Sequence, residues 1–122
     1  MYSASRGVLA MADEVYLVCT PDIASLHIAQ RRVEELQRAG LGLERLRLVL
    51  NRCGSHRWVG SEEVGLAVGI PVGMMLGNDY AALHAAAVKG DVVSPRSALG
   101  RQFDELGRRV AGVVASAKSA AA

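Results

Sequence analysis

What most constrains the fold of this chain is a pattern used three times: a short apolar run, a polar break, then a stretch of helical periodicity. Glu14-Val15-Tyr16-Leu17-Val18-Cys19 ends at Thr20-Pro21-Asp22; Leu46-Arg47-Leu48-Val49-Leu50 ends on Asn51-Arg52; Ile70-Pro71-Val72-Gly73-Met74-Met75-Leu76 ends on Gly77-Asn78-Asp79. Strands that alternate with helices build βαβ units and a mostly parallel sheet. The expected architecture is a three-layer α/β/α domain with strands at about 14–19, 46–51 and 71–76. Pro71 must stand at the start of its strand, where no ladder N–H is needed.

The helical stretches carry their own punctuation. Thr20-Pro21-Asp22 supplies an N-cap, a first-position proline and a first-turn acid. Leu26, Ala29, Val33 and Leu36 then recur every three or four residues until Gly40 stops the pattern. Ser61-Glu62-Glu63 starts a short helix that reaches about Gly69, and an alanine-rich helix over 80–88 closes at Lys89-Gly90. After Ser94-Pro95, the residues Leu99, Phe103, Leu106, Val110 and Val113 predict one apolar stripe, with Arg101, Gln102, Asp104, Glu105, Arg108 and Arg109 turned to solvent. An alanine-rich tail over 115–122 is expected to fray. The whole chain reads as one domain, 1–122.

The polar breaks fall where ligands bind in open α/β sheets, outside the carboxyl ends of the strands. An asparagine amide can donate to and accept from a base edge at once, as it does toward adenine. Asn51 is therefore a candidate for an adenine pocket. An Asn-Arg pair at a strand end also serves simply to begin a loop, since Asn tolerates turn conformations and Arg is readily solvated.

Composition narrows the classes. The net charge is +2, twelve acids offset the scattered arginines, and aromatics make up 4% of the chain, so neither a phosphate-tracking stripe nor a stacking platform for nucleic acid is present. No apolar stretch is long enough to span a bilayer and no export signal opens the chain, so a cytoplasmic domain without stable membrane insertion is expected. The tail lacks the bulky apolar residues and lysines of a membrane-binding helix. Cys19 and Cys53 form no zinc or CxxC pattern, and His27, His56 and His84 lack metal-ligand spacing.

Taken in order, Ala12-Asp13, the strand through Val15-Tyr16-Leu17-Val18, Pro21-Asp22 with Ser25-Leu26, Leu48-Val49-Leu50-Asn51-Arg52, Gly69-Ile70-Pro71-Val72, Leu76-Gly77-Asn78-Asp79-Tyr80, Ala87 and Gly90 resemble the carboxy-terminal half of a MinD/ParA-type P-loop ATPase. The pilus-assembly branch, the CpaE/TadZ-like proteins, is the nearest in pattern. The resemblance covers about residues 9–114. It implies a partial P-loop NTPase fold of SIMIBI type and an adenine side of an ATP or ADP site bordered by Asn51, Arg52, Gly77, Asn78 and Asp79. Asp79 also reads as an ordinary N-terminal helix residue favoured by the dipole. At Gly77 the family usually carries proline, and glycine's freedom is expected to loosen the loop that would wall the base.

No GxxxxGK[ST] loop or lysine-richer variant occurs, and the only lysines are Lys89 and Lys118. Without the cradle, its lysine and its Ser/Thr, neither phosphates nor Mg²⁺ should be held, and this chain alone is not expected to turn over ATP. The resemblance further implies that the strand at 14–19 would lie beside a P-loop strand, so its edge should be open. A homo-oligomer, a chain supplying the missing half, or marginal stability is expected in consequence. Three readings follow: an incomplete ATPase domain that serves a pilus or secretion machine through a dimer or partner surface, a noncatalytic α/β interaction module that has lost nucleotide, and a small receiver-like domain. The last needs five strands, and three are counted.

Overall fold

In the computed structural model, residues 3–54 and 60–121 are described, with side chains to Gly112. Three parallel strands, β1 (Val15–Cys19), β2 (Leu46–Cys53) and β3 (Val72–Gly77), form a sheet in the order β1-β2-β3. Five helices accompany it: α1 (Ser3–Met11), α2 (Ile23–Arg38), α3 (Ser61–Val68), α4 (Tyr80–Lys89) and α5 (Ala98–Ala121). The expected three-layer arrangement with a parallel sheet is what forms.

Alternation along the strands, reset at Gly73 where Leu48 faces Val72 and the next residue, Val49, faces Met74, assigns the layers. Leu17, Leu48, Leu50 and Val72 point to one face and pack with Ala29, Val33 and Leu36 of α2 and Val64 and Val68 of α3. Tyr16, Val49, Met74 and Leu76 point to the other, against Leu99 and Leu106 of α5. Burial on both faces is why the middle strand reads as a near-continuous apolar run. Each fully buried Leu or Val there contributes about 1.5–3 kcal/mol.

Helix boundaries follow local chemistry. Asp22, not Thr20, caps α2: its carboxylate accepts the Ser25 N–H at 2.9 Å, while the Thr20 hydroxyl donates to the same carboxylate. The Thr20 N–H is taken by the Ser25 hydroxyl at 3.0 Å, so Thr20 stays outside the helix, which starts at Ile23, two positions later than expected. At the far end Leu41 N–H reaches Leu36 C=O and Gly40 N–H reaches Gln37 C=O, each at 3.0 Å, with Gly40 at φ +92°. That termination requires a left-handed residue, which glycine supplies without a Cβ penalty.

Two features depart from the periodicity. Helix α1 was not expected; Leu9 packs on the α2-side core, and Arg45, in the 3₁₀ turn Leu43–Arg45, donates to the carbonyls of Leu9 (3.3 Å), Ala10 (3.2 Å) and Ala12. A cation at a helix C-terminus satisfies its orphan carbonyls. The second departure is the stripe on α5. Phe103 and Val110 are roughly half exposed, whereas Gln102 Oε1 accepts the Gly77 N–H at 2.7 Å and Arg109 donates to Gly73 C=O at 2.5 Å. Positions 99, 102, 106 and 109 therefore face β3; Gln102 is half-buried there instead of turned to solvent, while Arg109 stays exposed, as expected, and still reaches the strand. Val113 lies outside the described side chains.

The reason is backbone accounting. Asn78 N–H bonds to Cys53 C=O on the β2 side, whereas the Gly77 N–H and the Gly73 C=O point away from β2, toward α5. An outer edge needs partners. Gln102 and Arg109 provide them, and α5 runs antiparallel along β3 as its cover.

Candidate functional site

The second polar break lies inside its strand. β2 continues to Cys53, past the expected end at 51, because the pairing with β3 resumes after a shift: Leu50 faces Met75 and Cys53 faces Gly77, so Asn51 and Arg52 together oppose Leu76. An extra residue of this kind is a bulge, which bends a strand and redirects its side chains. Arg52 takes φ +59°, the only left-handed residue other than glycine among those described. Asn51 sustains it, its carboxamide oxygen accepting the Arg52 N–H at 2.9 Å. A non-glycine residue in this region carries strain that surrounding structure must hold in place.

The third break lies against the second. Asn78 N–H donates to Cys53 C=O at 3.1 Å, which ties the segment after β3 to the end of β2. Gly77 ends β3 without a left-handed φ, and its N–H is pinned by Gln102. The expected looseness at this glycine is thus countered by a contact from α5. Asp79 is the N-cap of α4, accepting the Ala82 N–H at 3.0 Å, as its ordinary reading has it. Asn78 and the Arg52 side chain are exposed, and Asn51 is half-buried. So Asn51, Arg52, Gly77, Asn78 and Asp79 share the carboxyl rim of β2 and β3.

The first break borders the same rim beside β2. Donation from the Thr20 hydroxyl and then the Ser25 N–H holds the Asp22 carboxyl below the usual carboxylate range. Cys19 is buried at the end of β1, and Cys53 packs on the same core. Burial raises both thiols, with the Asp22 charge and Cys53 adding to the effect at Cys19, so neither is a ready nucleophile. Among the described residues no His, Cys, Asp and Glu side chains cluster into a metal site; His56 lies outside them. No helix among them is long and apolar enough to cross a membrane.

At the opposite, amino end of the sheet a cavity of about 670 Å³ opens between the sheet and α5, lined in part by Glu14, Tyr16, Arg47, Met74 and Arg109. Three of its polar side chains are joined at Glu14. Arg47 pairs with Glu14 at 2.9 Å, and Tyr16 donates to the same carboxylate at 2.7 Å. Burial, with this bond second, raises the Tyr16 phenol. Sequence reasoning left this cavity unnoticed, since its residues are far apart in the chain and share no motif.

No family model matches the sequence. No curated protein matches it either. Among solved structures the chain is similar to a ParA family ATPase from Chlorobium tepidum TLS, with a TM-score of 0.78 over 86% of this chain at 23% sequence identity. The chain spans 45% of that protein's length. Likeness at this identity concerns the fold, and the fold of these residues is similar to a little under half of a ParA family ATPase.

Proposed function

We propose that this chain is the carboxy-terminal portion of a MinD/ParA-type ATPase domain, of the CpaE/TadZ-like pilus-assembly kind. It would provide the adenine side of an ATP or ADP site and a dimer or partner surface for positioning a pilus or secretion machine. The observation that supports this most is the Asn78–Cys53 backbone bond, which joins the Asn51-Arg52 bulge and the Gly77-Asn78-Asp79 turn into one rim at the strands' carboxyl ends. Asn51 Oδ1 keeps a second lone pair beyond the one given to Arg52, and its NH₂ can donate. Resemblance of the sequence pattern and likeness of the fold to a ParA family ATPase support the same reading. With no phosphate cradle in these residues, Mg²⁺ and turnover are not expected of the chain alone.

The test is titration of the purified chain with ATP and ADP, followed by calorimetry or by chemical shifts. Base-side contacts alone should give saturable binding near 1 mM, about −4 kcal/mol. Asn51→Ala should weaken it roughly five-fold, the worth of one hydrogen bond of about 1 kcal/mol. Absence of a saturable shift by about 10 mM would overturn the adenine assignment.

A second reading is favoured by specific bonds. Asn51 supports the left-handed Arg52 and Asp79 caps α4, so both have structural employment without nucleotide. In that case the chain is a noncatalytic α/β interaction module, and Asn51→Ala lowers stability while nucleotide has no effect.

A further inference from the structure

The turn that carries Gly77, Asn78 and Asp79 is held from three sides. Asn78 N–H bonds to Cys53 C=O at 3.1 Å, the Asp79 carboxylate accepts the Ala82 N–H of its own helix at 3.0 Å, and Gly77 N–H donates to Gln102 Oε1 at 2.7 Å. Of the three, the last alone comes from an element outside the rim. Helix α4 braces the turn little, since its one buried residue is Ala86. A Cβ at position 77 would lie 3.5 Å from Gln102 Oε1 and 3.8 Å from its Nε2, ordinary contact distances, and Gly77 has no left-handed φ. What Gln102 engages is therefore the backbone donor, not the space a side chain would fill. The core fixes where Gln102 stands. Leu99 and Leu106 seat α5 on Val49, Met74 and Leu76, and Arg109 donates to Gly73 C=O at 2.5 Å. From Gln102 to Arg109 is about 10.5 Å of helix, and from Gly73 to Gly77 about 13 Å of strand, a difference that two side chains can span. A slide of α5 by one turn, about 5.4 Å, would break both bonds.

We propose that Gln102 is a positioning residue for the base side of the nucleotide site: by holding the Gly77 N–H it keeps Asn78 and Asp79 set against the Asn51-Arg52 bulge, and the seating of α5 on β3 thereby controls how tightly the rim takes adenine. This role rests on the adenine reading given above and deepens it. Without Oε1 the turn loses its anchor on the side away from β2, and the wide φ/ψ range of glycine opens other arrangements to it. The rim is then competent for only part of the time, and apparent affinity falls by that fraction. By linkage, bound nucleotide favours the seated α5 by the same factor. Gln102 need not touch the base for any of this.

The full chain is titrated with ADP and followed by amide chemical shifts, as the native protein and as Gln102→Met, Gln102→Asn and Gln102→Glu, and amide exchange is measured on the same samples without nucleotide. Gln102→Met keeps the length but has no amide oxygen, Gln102→Asn is one methylene shorter, and Gln102→Glu keeps an acceptor at full length. The first two should bind ADP about three- to ten-fold more weakly. Their Gly77 and Asn78 amides should exchange roughly ten-fold faster, beyond any change at Leu48, whose buried position in β2 makes it a reporter of global opening. Gln102→Glu should match the native protein in both measurements. Since a loss of stability alone leaves the affinity of the folded state unaltered, this rescue separates positioning from packing, and two loss variants of opposite polarity keep the test if one fails to fold. Native protein without a saturable shift by about 10 mM overturns the adenine reading and this role with it. Native binding that is unchanged in Gln102→Met and Gln102→Asn, or equally weakened in Gln102→Glu, overturns the role of Gln102 and leaves the adenine reading standing.

Discussion

At Gly77 one backbone N–H links the site to the rest of the fold. The resembling family's proline would remove the donor that Gln102 accepts at 2.7 Å, so glycine and glutamine here form a matched pair. Gln102→Ala should destabilise by about 1–3 kcal/mol, since it leaves a half-buried N–H without a partner. In Gly77→Pro the second substitution should add little, because the donor has already gone. A double-mutant cycle in urea checks this, and additive losses would show that the contact is not what matters.

Among the elements, α1 is the least secured. It has no buried residue; Leu9 and the Arg45 guanidinium are its main ties to the rest. Arg45→Ala should release α1 while the sheet stays folded, seen as a gain in amide exchange over 3–11 of roughly ten-fold or more, the worth of about 1.4 kcal/mol. Protection over β2 should be unchanged. Helix α5 presents the contrary case, tied to β3 through a polar stripe as much as an apolar one. A pattern of hydrophobic spacing cannot locate such contacts, because the demand for them comes from outward-facing backbone groups on another element.

Over the whole molecule the core is off-centre, dense around β2 and thin at β1. Leu48, fully buried between α2, α3 and the neighbouring strands, should lose about 2–5 kcal/mol on truncation to alanine. Val18→Ala should change stability by no more than about 0.5 kcal/mol in the isolated chain. Urea unfolding of the two variants tests this asymmetry. Equal losses would mean that β1 is covered in solution, by a second copy for instance.

The amino-acid order alone was enough for the parallel α/β architecture, the strand-break-helix rhythm, the buried face of α2 and the grouping of the Asn51 and Gly77 breaks at one rim. Each is a consequence of short-range periodicity and turn chemistry, which act over a few residues. Tertiary structure decided the bulge that keeps Asn51 inside β2, the cap at Asp22 in place of Thr20, the rotation of α5 toward Gln102 and Arg109, and the Arg45 cap on α1. Those depend on which backbone groups face outward once strands have paired, and apolar spacing along the chain does not encode that geometry.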